Sequence, residues 1–206
     1  LITEPSPKPQ NTSVYAESTP NPNTMKFVAN RSLVPKRFEF NNIDETTHAP
    51  LAQELFNLNG VTAVFMHQNY ISVSKNEAIS WTELMDSIKQ LIQDFVATGK
   101  PVLNDAALNE LPSDSEAQNT IPLSERNDQD KEIIALLEEF VTPAVAGDGG
   151  YIAFDSFDPE SKTVRVLLQG ACSGCPSSTM TLKNGIQSLL NEMTQGRVEH
   201  VEAING

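Results

Sequence analysis

Apolar positions change period several times along the chain, and those changes divide it. Residues 1–20 show no periodicity; Pro5, Pro7 and Pro9 stand among polar residues, and the stretch reads as a mobile tail. Thr19-Pro20-Asn21-Pro22-Asn23 reads as a turn or extended segment, because a residue before proline is pushed out of the helical region. Met25-Lys26-Phe27-Val28 predicts a short strand, with Arg37-Phe38-Glu39-Phe40 as its partner. Leu51, Leu55 and Leu58 fall at helical spacing, and Asn59-Gly60 is a stop signal. Val61–Met66 and Tyr70–Ser74 predict a hairpin across His67-Gln68-Asn69. Ser80-Trp81-Thr82-Glu83 is a capping box, and Leu84, Ile88, Leu91 and Phe95 follow as one apolar stripe. Residues 21–98 therefore predict a small α+β domain, one sheet covered by two helices.

The pattern stops from Gly99 to about Asp128. Pro101, Pro112 and Pro122 break it, and a flexible linker over 99–128 is expected, with a short helical turn near Leu103–Leu108. Periodicity resumes with Ile133, Leu137, Phe140 and Ala144 on one helical face, which Pro143 should bend or end. Gly147-Asp148-Gly149-Gly150 predicts a tight turn. Tyr151–Phe157 and Thr163–Leu168 predict strands joined at Asp158-Pro159-Glu160-Ser161. A helix carrying Leu182, Ile186, Leu189 and Met193 follows, ended by Gly196, and Val198–Ile204 reads as a last strand. Residues 129–206 thus form a second small domain. The fold class expected for the chain is α+β, two small α/β-layer domains joined by a flexible linker.

Composition narrows the function. The 206 residues carry a formal net charge of −13. Nucleic acid and anionic membrane surfaces are therefore poor partners, since both need clustered Lys and Arg. No stretch reaches the roughly 18 consecutive apolar residues of a membrane span. The proline-rich start is not a secretory signal, and two cysteines in so long a chain are no disulfide framework. A reducing, cytoplasmic location is the expectation, and the opening Leu1 leaves room for a processed N-terminus.

Both cysteines lie in Gly170-Ala171-Cys172-Ser173-Gly174-Cys175-Pro176, between a strand pattern and a helix pattern. The spacing lets one loop point both sulfurs at the same small volume. Pro176 suits a first helical position, and the helix start favours negative charge, so lowered thiol pKa values are expected. Free cysteine is often only a small apolar residue, but a glycine-flanked pair before a helix is a poor place to hide one. Two chemical readings stand side by side. One is a thioredoxin-like dithiol redox protein using the Cys172/Cys175 pair, although Ala171 replaces the aromatic residue that usually leads into such a motif. The other is metal binding. Zinc and iron–sulfur clusters want four thiolate or imidazole ligands. One chain supplies two cysteines, while His48, His67 and His200 sit in unrelated contexts and read as surface or structural. The set is completed most simply by a second copy, in a symmetric dimer whose interface holds four thiolates. With zinc the dimer would be structural; a labile site assembled from halves suits a carrier.

Ala146-Gly147-Asp148-Gly149-Gly150-Tyr151-Ile152-Ala153-Phe154, followed by Gly170 to Lys183, resembles the C-terminal domain of NifU, the Nfu-type iron–sulfur cluster scaffold. The run Thr19-Pro20-Asn21-Pro22-Asn23-Thr24-Met25-Lys26-Phe27 resembles the N-terminal domain of many Nfu proteins. The resemblance implies a non-enzymatic carrier. It would hold a [4Fe-4S] cluster, or a [2Fe-2S] one, between two protomers through Cys172 and Cys175 and pass it to apo iron–sulfur clients, receiving it from upstream assembly machinery. Asp148, Gly149 and Gly150 match the family's turn and are structural rather than ligating; Tyr151 stands where relatives often carry a polar residue. The resemblance does not extend to the cysteine-rich front part of full-length NifU, so no permanent redox cluster of that type is implied. The N-terminal domain has no cysteine, and Asp44, Glu45 and Glu54 read as a solvated face. Client docking, control of access to the cluster and simple spacing all remain open for it.

Overall fold

The structure, a computed structural model, describes residues 12–106, 123–173 and 176–205. It contains two compact units: one joins the chain up to Glu17 with Phe27–Leu111, the other joins Ser18–Lys26 with the chain from Pro112 on.

The first unit holds most of a five-stranded sheet ordered β1 (Val14–Ser18), β2 (Thr24–Ala29), β5 (Tyr70–Lys75), β4 (Val61–His67), β3 (Phe38–Phe40). β1 lies inside the stretch whose composition suggested a tail; Val14 is buried there. The β4–β5 hairpin forms as expected, with Val64 opposite Val73 and Met66 opposite Ile71, turning at Gln68 with φ 48°. The expected pairing of 25–28 with 37–40 does not form. β3 pairs with β4, Phe38 opposite Met66 and Phe40 opposite Val64, while β5 takes the place beside β2. Alternation marks a strand but carries no address for its neighbour.

Helix α1 (Pro50–Phe56) stops before Leu58, so Leu51 and Leu55 are buried and Leu58 only half so. Helix α2 (Trp81–Ala97) opens on the capping box: the Ser80 N–H donates to the Glu83 carboxylate at 3.2 Å, and Ser80 Oγ accepts from the Thr82 N–H at 3.2 Å. Its buried stripe is Leu84, Ile88, Ile92 and Phe95, running through Ile92 rather than Leu91. The expected turn near Leu103–Leu108 lies partly outside the described residues, as does residue 107–122 of the linker.

In the second unit, α3 (Asp128–Leu136) is capped by Asn127, whose Oδ1 accepts from the Asp130 N–H at 2.8 Å. One wide π turn, Leu137–Val141, links it to α4 (Thr142–Gly147). The buried face is Ile133, Leu137, Val141 and Val145, and Phe140 is 46% exposed. Phe140 and Ala144 were the expected core positions. Pro143 has no N–H to give the preceding turn, and a wide turn just before it accommodates the missing bond. It also moves the face on by one residue.

The sheet of this unit is β6 (Gly150–Asp158), β7 (Thr163–Gly170) and β8 (His200–Asn205). β6 and β7 are antiparallel; β7 and β8 are parallel, with Val164 opposite Val201 and Val166 opposite Ala203. A parallel pair needs a crossover, and α5 (Pro176–Met193) supplies it. Gly196, φ 81°, ends the run after α5. The core is one cluster of Ile133, Leu137, Ile152, Val164, Val166, Leu168, Ile186, Leu190 and their neighbours, and it includes Cys172. Each unit is thus a mixed α+β layer pair.

Candidate functional site

β7 runs out of sheet at Gly170, φ 68°, and the chain turns into the cysteine loop. The Ser173 N–H and Oγ both donate to the Gly170 carbonyl, at 3.1 and 2.9 Å. The Ala171 N–H donates to the Gly149 carbonyl at 3.2 Å, which ties the loop to the turn that opens β6. From the other side, Thr179 Oγ1 in α5 donates to the Cys172 carbonyl at 3.0 Å. Strand end, glycine turn and helix start therefore hold one short loop at three points.

The glycines of that turn are dictated by space. A Cβ on Gly150 would lie 2.5 Å from Cys172 Sγ and 3.0 Å from its Cβ. Gly149 has φ 78°, where a side chain is strained. Asp148, which precedes Gly149, carries charge toward the thiol. Burial raises its carboxyl above the usual range, and Lys26 pulls it back down.

Cys172 is 7% exposed and free. Burial, and secondarily the Asp148 charge, push its thiol from 9.0 up to about 12. This reverses the lowered value expected from the helix start. Sγ points into the apolar core against Gly150, and the low dielectric there penalises the thiolate more than a nearby helix end can favour it. Cys175, the second expected ligand, lies outside the described residues. His67 packs between the Phe65 and Tyr70 rings, centroids 6.3 and 5.7 Å away, and His200 is exposed on β8. Asp44, Glu45 and Glu54 are exposed, a solvated face. Among the described residues no three His, Cys, Asp or Glu side chains gather as a metal site.

Two further side chains reach the loop. The segment Ser18–Lys26 belongs to this unit. Within it Thr19 Oγ1 donates toward the Asn21 and Thr24 carbonyls at 2.9 and 2.8 Å, and the Asn23 N–H donates to Asn21 Oδ1 at 3.0 Å. The turn so formed aims Asn21 Nδ2 at the Ala171 carbonyl, 3.4 Å away, and Lys26 Nζ at the Gly147 carbonyl, 3.2 Å away. Sequence reasoning noticed the Thr-Pro-Asn-Pro-Asn run but gave it no place at the site. The sequence gives no signal for this, because an amide between two prolines is costly only once it is buried, as Asn21 is here.

Fold and site together define a small α+β protein that presents a glycine-framed cysteine loop at a strand-to-helix junction. Residues 14–99 match the family model for the scaffold protein Nfu/NifU N-terminal domain, and residues 133–202 match the NifU-like domain. The chain belongs to the Nfu/NifU scaffold family. It is 34% identical over 184 residues to a NifU-like protein of Schizosaccharomyces pombe, covering 86% of this chain and 67% of that protein. It is 35% identical over 182 residues to the mitochondrial NifU-like protein 4 of Arabidopsis thaliana, covering 86% of this chain and 61% of that one. It is 36% identical over 193 residues to a mitochondrial NFU1 iron–sulfur cluster scaffold homolog of Drosophila sechellia, covering 93% and 64% respectively. The chain thus spans somewhat under two thirds of the length of the plant and fly relatives. The cytoplasmic expectation is overturned here, because both of those relatives carry mitochondrial names.

Proposed function

We propose that this chain is a mitochondrial iron–sulfur carrier. Its cargo is a [4Fe-4S] cluster held by Cys172 and Cys175 of two copies, and it passes that cargo to client apoproteins without catalysing a reaction. The family, and the scaffold name borne by the fly relative, support the cargo class. The observation that carries the site is the frame around Cys172. A glycine turn, a strand end and a helix each hold the loop, and the Cys172 sulfur fills the space a Cβ on Gly150 would need.

Protonated, buried Cys172 also bears on the dithiol reading. The attacking sulfur of a dithiol pair is a thiolate, and burial that pushes the Cys172 thiol up to about 12 disfavours that part for Cys172. A metal ligand has no such requirement, since the incoming cation displaces the proton as it binds. Release to a client would proceed by ligand exchange, client thiolates replacing those of the carrier one at a time.

Anaerobic addition of ferrous iron and sulfide tests this. The protein should turn brown and sediment as a dimer only when loaded. Cys172→Ala and Cys175→Ala should each abolish colour and dimer. Stoichiometric uptake by a chain that stays single, or uptake unchanged without both thiols, overturns the proposal.

A further inference from the structure

Helix α5 leaves part of its apolar stripe outside the core. Ile186 and Leu190 are buried, but Leu182 and Leu189 are only half-buried and Met193 is 44% exposed. Leu182, Ile186 and Leu189 form one wall of a groove whose other wall is the π turn and α4, where Phe140 is 46% exposed. Gly185 lies in the middle of the helical wall. A glycine inside a helix costs stability against alanine. Packing within the chain does not call for one here: among the described residues a Cβ at Gly185 would meet nothing within 4 Å. The missing side chain leaves a place where a second helix can lie close to α5.

The occupant follows from where the groove ends. It reaches Thr181, two residues beyond the Thr179 that holds the Cys172 carbonyl, and Asp148, whose charge the Cys172 thiol feels. The groove thus adjoins the cysteine loop, which lacks half its ligands until a second copy arrives. Among the described residues lining it, Asp148 alone is charged. Two copies that each carry −13 can meet there with little like charge opposed.

We infer that this groove is the face on which two copies pair, α5 of one lying parallel to α5 of the other across Gly185. It rests on the reading of Cys172 and Cys175 as shared ligands. Direction follows from length. At about 1.5 Å rise per residue, Gly185 lies about 13.5 Å along the axis from Pro176. Antiparallel helices crossing there would hold their cysteine loops about 27 Å apart, beyond the reach of one cluster. Parallel helices, related by a two-fold axis along their length, bring both loops to the same end. Both helix N-termini then favour the negative charge of a thiolate-ligated cluster.

The test loads the full chain anaerobically with ferrous iron and sulfide and sediments the brown species over a dilution series. Gly185→Leu should raise the dissociation constant of the loaded dimer roughly thirtyfold, the effect of overpacking a close contact. Asn184→Leu, at an exposed neighbour outside the groove, should leave it within about twofold. Gly185→Ala keeps the test standing whatever leucine does to folding. Without iron its folding equilibrium should strengthen about fivefold, because alanine is the better helix residue and meets no neighbour. Loaded, its dimer should weaken. A gain in the fold beside a loss in the dimer is an outcome that structural damage does not produce. A wild type that loads without dimerising overturns the carrier reading and this face with it. A wild type that dimerises, with unchanged dissociation constants in Gly185→Leu and Gly185→Ala, overturns the pairing face alone.

Discussion

Burial pushes the Cys172 thiol up to about 12, which makes Cys172 a stability element as well as a proposed ligand. Its folded pKa lies above the unfolded one, so the folded form keeps a proton that the unfolded form has lost. The contribution is complete below the ordinary 9.0 and drains away as pH rises to about 12. Across that window the folding equilibrium should weaken roughly tenfold per pH unit. Urea titrations at increasing alkalinity should show this slope in the wild type and lose it in Cys172→Ala. Asp148 contributes in the same direction as burial, so its charge makes the buried sulfur still harder to ionise. The residues around this thiol were legible in the sequence: Cys172 itself, Gly170 and the turn at 147–150. The thiol's environment was not. Spacing places a cysteine before a helix, but only the packed structure shows that its sulfur faces Gly150 and the core.

Among the elements, β6 begins where the site is tightest. Gly150→Ala would drive a methyl group to 2.5 Å from Cys172 Sγ, with the Gln169 carbonyl a further 3.1 Å obstacle. Backbone and sulfur would both have to move. A loss of about 1–3 kcal/mol is expected from overpacking at such a position. Thermal unfolding should register it, together with impaired cluster uptake. By contrast, a Cβ at Gly147 in the same turn meets nothing within 4 Å, so Gly147→Ala is the matching control. Period and caps made most elements readable: the β4–β5 hairpin, the capping box at Ser80 and the strand pair β6–β7 all stand where the pattern put them. The π turn did not show, because a slip of one residue looks like a continuous helix until Phe140 is found outside. That displaced ring lines an apolar groove of about 670 Å³ with Leu182, Ile186 and Leu189 of α5. Strand partners were equally silent, since β3 chooses β4 by geometry that alternation does not encode.

At the scale of the whole molecule, charge opposes the proposed dimer. Each copy carries −13, and bringing two together concentrates like charge around a thiolate-ligated cargo. Salt screens that repulsion over about 10 Å at 0.1 M. The loaded dimer should therefore be more stable at moderate than at low ionic strength, as sedimentation of the brown species would show; the opposite trend would mean attractive ion pairs hold the copies. A last consequence follows from where Cys172 rests. A reactive group folded inward among leucines and valines is sheltered from peroxide and from stray cross-linking. The Cys172 thiol of an unladen molecule should therefore withstand an oxidative burst.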